Sequence, residues 1–281
     1  MIIGRFFVLT IFTNFIINGI PLPCKHMKSL KFLLMSILML SVLAFKSDKN
    51  KPADKGFAVI ELFTSEGCSS CPPADALVAR LQKESADKPI YILAYHVDYW
   101  NTVRWKDAFS NAAYSARQKE YSHYLKSEIY TPQIVVNGKT EFVGSQEGTL
   151  RKAIDAALQK EPLAQLNLTA DTKGANALTV HYDVKNNGGK SVLLIALIQK
   201  SAQTKVSGGE NKGRDLSHVQ IVRSLHTINL YNNQSGTETV MLPTGFMAET
   251  WQVAGLVQST VTGEIMGAGK VDWTRNRKSA E

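Results

Sequence analysis

Hydrophobic positions follow two different periods along this chain, and the change falls near residue 161. In the first part, Phe57-Ala58-Val59-Ile60-Glu61-Leu62-Phe63 is a nearly continuous apolar run, and Ile90 to Asp98 is another. Runs of this length, rich in β-branched and aromatic residues, read as buried strands. Between them Ala74, Leu77, Val78 and Leu81 recur at helical spacing, as do Leu150, Ala153, Ile154, Ala157 and Leu158 farther on. The stretch from Tyr130 to Gly144 reads as a strand, an Asn137-Gly138 turn and a second strand. Asp107 to Lys126 has mixed helical character, with Phe109, Ala113, Ala116, Tyr121 and Tyr124 as candidate apolar contacts. It is expected to be a helical insertion over about 99–128 that caps the domain. The order β-α-β, insertion, β-β-α predicts an α/β domain over residues 56–161.

After Glu161-Pro162 the period becomes two. Leu178, Val180, Tyr182 and Val184 alternate with Thr179, His181 and Asp183, the pattern of a half-buried strand. Asn186-Asn187-Gly188-Gly189 is a turn, and apolar runs at 191–198, 219–228, 237–242 and 251–257 continue the series. Strands separated by turn residues at short intervals predict an all-β, sandwich-like domain over 162–281. Gly208 to Asp215 is a long polar segment without the strand-loop-helix setting of a phosphate cradle. It reads as a surface loop, or as one that reaches the active site or a partner. His218 and His226 read as strand-face residues and His123 as a surface residue.

Charge and the N-terminus narrow the setting. The formal net charge is +8, and Arg5, Lys25, Lys28 and Lys31 lie in residues 1–44, which carry no acid. Half of the basic excess therefore sits in that segment. No dense Lys/Arg run interleaves with aromatics, so a nucleic-acid partner is not expected. Lys28 and Lys31 precede an apolar run from Phe32 to Leu40, which ends in Ser41-Val42-Leu43-Ala44. That is the layout of a secretory signal, too short to favour a membrane-spanning helix. Residues 1–44 are read as this leader, with Met27 as an alternative start, and the polar stretch 45–55 as a linker. The expected location is periplasmic or secreted. Retention as a membrane anchor is the alternative, because Ile2 to Ile20 is apolar too.

The three cysteines sharpen the chemistry. Cys24 lies in the leader, leaving Cys68 and Cys71. A pair this close in sequence closes no long loop and stabilises little as a staple. In an exported protein it reads as redox-active or metal-binding. Pro72 and Pro73 fit the first turn of a helix. The order strand, turn, CxxC, helix then places Cys68 where a helix N-terminus stabilises a thiolate, with Cys71 able to resolve a mixed disulfide. Glu61 shares a strand face with Phe57, Val59 and Phe63, an unusual place for a carboxylate. His96, Asp98 and Trp100 cluster after the second strand. His96 and Asp98 are candidates for the active-site rim, and Trp100 for the core.

Three stretches carry a resemblance: Glu61 through Asp75, His96-Val97-Asp98-Tyr99-Trp100, and Tyr130-Thr131-Pro132-Gln133. Residues 57–160 resemble a thioredoxin-fold domain and, within that superfamily, the DUF1223 family of secreted bacterial proteins. The similarity extends into the C-terminal half, including Gly209 to Arg214. The resemblance implies that Pro132 is a cis-proline beside the CxxC that docks extended substrates, with Thr131 before it and Ser69 and Ser70 lining the groove. It implies that an acid on the first strand, Glu61, serves proton transfer at Cys71. Gly67 stands where the superfamily usually has an aromatic residue.

The expected fold is thus an α/β thioredoxin-like domain followed by an all-β sandwich-like domain. The expected function is an exported thiol–disulfide oxidoreductase. It would use Cys68, Cys71, Pro132 and Glu61, with no cofactor beyond its redox-active disulfide. Its partners would be protein thiols or disulfides and a redox recycling partner. Two alternatives stand beside it. One is a Cu(I)-handling protein with Cys68, Cys71 and His96 as ligands, since soft thiolates select that ion. The other is a non-catalytic binding module with a structural disulfide.

Overall fold

A computed structural model of the chain describes residues 56–271 except 175 and 245. The expected leader (1–44) and linker (45–55) lie outside the described residues. Among the described residues no helix is long and apolar enough to cross a membrane.

The first strand, β1 (Ala58–Thr64), is buried along its whole length, as its continuous apolar pattern requires. It is followed by α1 (Pro72–Glu84), β2 (Ile90–His96), α2 (Ala112–Leu125), β3 (Gln133–Val136), β4 (Thr140–Val143) and α3 (Glu147–Leu158). β1 pairs with β2 in parallel and with β3 antiparallel. The Asn137-Gly138 turn joins β3 to β4 with both residues at positive φ, 49° and 64°, the backbone a two-residue hairpin needs. Asn137 also ties the hairpin to β1, accepting from Val59 N at 2.6 Å and donating to Phe57 O at 3.1 Å.

Strand parity sorts β1 between two cores. Ala58, Ile60 and Leu62 pack with Ala74, Leu77, Val78 and Leu81 of α1 and Leu150, Ile154 and Leu158 of α3. Val59 and Phe63 point the other way, into a cluster with Tyr95, with Tyr114 and Tyr121 of α2, and with Leu194, Ala196 and Ile198 from farther along the chain. The buried face of α2 is Tyr114, Arg117, Gln118 and Tyr121. Ala113 and Ala116, expected as contacts, are exposed. The helix turns an Arg and a Gln inward, so its apolar periodicity is weak.

The remaining strands are β5 (Gln165–Lys173), β6 (Ala177–Lys185), β7 (Ser191–Lys205), β8 (Asp215–Asn229), β9 (Ser235–Met241), β10 (Trp251–Ser259) and β11 (Ile265–Val271). They do not stand apart from the first half. β8 lies parallel to β2 at Ala94 and Ile221, which gives one sheet in the order β11-β10-β7-β8-β2-β1-β3-β4. The described residues form one compact unit, so the boundary expected at 161/162 runs through a shared sheet. A second, three-stranded sheet, β5-β6-β9, covers the far end of the first. Leu178, Val180, Tyr182 and Val184 of β6 meet Leu193, Ile195 and Leu197 of β7 and Val253 and Val257 of β10 there. The C-terminal half thus contributes a two-layered β region, one layer of which is the sheet that carries β1 and β2.

Candidate functional site

The site forms where β1 and β2 end and α1 begins. Cys71 is the N-cap residue of α1, with Pro72 and Pro73 in the first turn and no side-chain cap. Its carbonyl accepts from Ala74 N at 2.9 Å and Asp75 N at 3.1 Å, opening the helix. Cys68 and Cys71 are joined by a disulfide. The Thr131–Pro132 peptide is cis, and it meets the pair through Ser70. Ser70 Oγ lies 3.3 Å from Cys68 Sγ and donates to Thr131 O at 3.4 Å. Trp100 Nε1 donates to Thr131 Oγ1 at 2.8 Å, so the residue expected only as core also fixes the proline loop.

Neither cysteine is open to solvent: Cys68 is 1% exposed and Cys71 0%, although Ser69 and Ser70 between them are exposed. The tip of the β7–β8 hairpin lies against the backbone of this loop. Asn211 Nδ2 donates to Glu66 O at 3.0 Å and to Cys68 O at 2.8 Å. Glu210 N donates to Gly67 O at 3.0 Å, and Ser69 N donates to the Glu210 carboxylate at 2.9 Å. The Ser69 hydroxyl and then its N–H hold the Glu210 carboxyl below its usual range. A Cβ on Gly67 would sit 3.1 Å from Trp100 Cβ and Trp105 Cζ3. Gly67, bare of a side chain, is therefore the seat against which the hairpin tip rests. Of the two readings of 208–215, the loop that reaches the cysteine pair describes the structure.

Beneath the pair lies a buried polar network drawn from both halves. Asp75, four residues after Cys71 on α1, accepts from Thr64 Oγ1 at 3.3 Å. Burial pushes its carboxyl up to about 7, with the His218 ring and the Thr64 hydroxyl pulling down and Asp107 and Glu66 pushing up. Glu66 accepts from the Thr204 hydroxyl and lies 3.5 Å from His218 Nε2, both on the hairpin strands. The His218 ring stands edge-on to His96, centroids 4.9 Å apart, and Phe109 closes over both. His96 Nδ1 is 2.8 Å from Asp107 Oδ2, which also accepts from Glu66 N at 2.8 Å. Burial opposes ionisation of Asp107, but His96 and the donors around it outweigh this and lower its carboxyl. His96 Nε2 and His218 Nδ1 are buried without a hydrogen-bond partner among the described residues.

Several expected roles change. Glu61 does not serve Cys71. It lies on the β1 face opposite α1, where Arg117 Nε reaches it at 2.6 Å and Tyr121 donates its hydroxyl. Arg117 is held in turn by Gln258 Oε1 at 3.0 Å, so the carboxylate is neutralised within the core. His96 is fully buried and lines no groove. Asp98 accepts from Ser115 Oγ at 2.5 Å and so anchors the first turn of α2 rather than facing substrate. Among the described residues no group of three or more His, Cys, Asp or Glu is arranged to hold a metal ion, and Cys68, Cys71 and His96 do not form one. Asp75, Glu66, Asp107 and His218 were not singled out as site residues. For Asp75 the signal was present, since it follows Cys71 by one helical turn.

Comparison with known proteins adds a family and a fold. A family model described as a protein of unknown function (DUF1223) matches residues 59–258. None of the curated proteins matches. A crystal structure of a protein from Agrobacterium tumefaciens is similar at 24% identity and a TM-score of 0.56, covering 76% of this chain and 93% of that one. A domain of the outer membrane lipoprotein Omp28 from Porphyromonas gingivalis, 17% identical, covers 40% of this chain and 88% of its own at a TM-score of 0.28.

Proposed function

The chain belongs to the DUF1223 family, whose function is unknown, and on the geometry of its site we propose that it is an exported thiol–disulfide oxidoreductase on a thioredoxin-type scaffold. The observation that carries this reading is the Cys68–Cys71 disulfide at the N-terminus of α1, against which Ser70 holds the cis Thr131–Pro132 loop. The parallel β1–α1–β2 unit with β3, β4 and α3 supports the scaffold. Export rests on the basic and apolar layout of residues 1–44.

In the reduced protein, the helix N-terminus favours Cys68 as a thiolate. Its sulfur bonds to one sulfur of a partner disulfide as the partner's S–S bond breaks, and the electron pair leaves on the other partner sulfur. Cys71 passes its proton to Asp75 and attacks Cys68 Sγ. The Cys68–Cys71 bond reforms as the bond from Cys68 to the first partner sulfur breaks, and that sulfur leaves as the partner's second thiolate. The partner gains two electrons, and a recycling dithiol restores the pair. Asp75 takes the role expected of Glu61. It lies one turn from Cys71 on the same helix face, and burial brings its carboxyl near neutral pH, the range suited to accepting and returning a proton.

One observation favours a second reading, a structural disulfide: both cysteines are sealed from solvent. Equilibrating the metal-free full-length protein with a glutathione series separates the two. An exchanging pair shows a reversible midpoint between about −120 and −270 mV, the span of known oxidoreductases. A pair that stays oxidised below about −300 mV behaves as a structural bridge and overturns the proposal.

A further inference from the structure

We propose that the tip of the β7–β8 hairpin, residues 206–214, is a lid whose opening sets the rate at which any thiol reaches the Cys68–Cys71 bond. This rests on the oxidoreductase reading, for which it resolves the problem of a sealed pair. The contacts define both a latch and a hinge. Asn211 is the latch: it is fully buried, and its amide clamps the carbonyls on both sides of Gly67. Arg214 Nη1 fixes the same amide by donating to Asn211 Oδ1 at 2.7 Å. The Glu210 carboxylate closes the outer edge on Ser69 N, where the bond is exposed.

The seal also needs two glycines. A Cβ on Gly208 would lie 2.4 Å from Trp105 Cγ, and one on Gly209 would lie 2.7 Å from Gly67 Cα. Any side chain at either position holds the tip away. The hinge is where the hairpin ladder ends. Val206 N donates to Arg214 O and Gly213 N to Val206 O, while Gly209 and Gly213 hold φ of 73° and 85°. Rotation there lifts the tip and leaves the β7–β8 pairing of 191–205 with 215–229 intact. Apart from Val206, the tip buries no large apolar side chain, the character of segments that open far below the global unfolding free energy.

Attack requires a thiolate to bond to one cysteine sulfur as the S–S bond breaks and its electron pair passes to the other. The attacker must reach the bond, so the observed rate is the intrinsic rate multiplied by the open fraction. The test is the rate at which dithiothreitol reduces the oxidised full-length protein, with reoxidation by oxidised glutathione as the reverse measurement. Losing the latch in Asn211→Ala is expected to raise both rates about tenfold, the loss of buried hydrogen bonds expressed as a population. Gly208→Ala is expected to do the same by steric lifting. Glu210→Gln, which touches only an exposed bond, is expected to give about two- to threefold and guards against misfolding in the others. Unchanged rates in all three variants overturn the lid. So does wild-type reduction that runs only at the rate of global unfolding, measured by a denaturant jump. A strongly reducing glutathione midpoint with accelerated variants would remove the oxidoreductase reading and leave the lid standing.

Discussion

Two buried carboxylates on opposite faces of one sheet have opposite chemical standing. Glu61 and Asp75 are both buried, and both lie within a few residues of the cysteine pair. Glu61 meets a guanidinium at 2.6 Å and a tyrosine hydroxyl, so its charge is balanced in place. Asp75 has a threonine hydroxyl as its hydrogen-bonded side-chain partner, and the pull of the His218 ring is opposed by burial and by two further acids in its electrostatic neighbourhood. A buried acid that is fully partnered holds structure. One left short of positive charge becomes a group whose proton is easily exchanged.

The sharpest way to break this comparison is to remove Arg117. Arg117→Leu leaves Glu61 as an uncompensated charge in the core, and breaking a buried pair from one side costs about 3–5 kcal/mol. The urea midpoint should fall accordingly. The double variant Glu61→Gln with Arg117→Leu should recover much of the loss, because no lone charge then remains. If Arg117→Leu instead left stability unchanged while slowing disulfide exchange, Glu61 would be the chemical acid and the assignment would reverse.

Asp75 should give the next largest effect, in pH dependence. Its native pKa, about 7, lies above the unfolded value near 3.8, so the native state holds the proton more tightly. The stability this lends is fully present below about pH 4 and is lost as pH rises towards 7, after which the contribution is constant. Asp75→Asn should flatten that slope in urea titrations at successive pH values. It should also slow resolution of a mixed disulfide on Cys68 by about a hundredfold, within the usual range for a lost general base. The rise of the wild-type resolution rate through neutral pH should disappear with it. A variant that keeps both the slope and the pH-dependent rate would move the proton transfer elsewhere in the network.

The contrast also explains what was readable in advance. β1, α1, the Asn137-Gly138 hairpin and α3 each carry a local signature, and each forms where it was expected. Parity divided β1 into two sets and placed Glu61 with Val59 and Phe63. It could not tell which set faces α1, because both sets are apolar and both faces are buried. The same limit hid the shared sheet. A strand buried on both faces declares its faces but not its in-plane neighbour, so nothing in β2 announced β8. His218 stands 122 positions after His96, and only the fold brings the rings together. α2 was blurred because Arg117 and Gln118 occupy its inward face. Gly67 was the legible trace of the lid, a missing side chain whose space is taken by residues far along the chain.

Ser70 offers the smallest and most specific probe of how the pair meets the proline loop. Its hydroxyl lies 3.3 Å from Cys68 Sγ and donates to Thr131 O at 3.4 Å, both long contacts at an exposed position. Ser70→Ala should therefore cost no more than about 0.5 kcal/mol of stability, the range for surface substitutions. In the reduced protein the same hydroxyl is placed to turn towards the Cys68 thiolate, and a hydrogen bond to a charged acceptor is worth more than one to a carbonyl. Its loss should raise the Cys68 thiol pKa by about half a unit to one unit, read from the pH dependence of alkylation by iodoacetamide. It should also make the pair slightly more reducing, because the thiolate form is what the bond favours. The same variant with Asp75→Asn should show additive effects, since the hydroxyl acts on the attacking sulfur and the carboxylate on the resolving one. Strong non-additivity would mean that both groups act on one sulfur, and the division of labour between Cys68 and Cys71 would have to be redrawn.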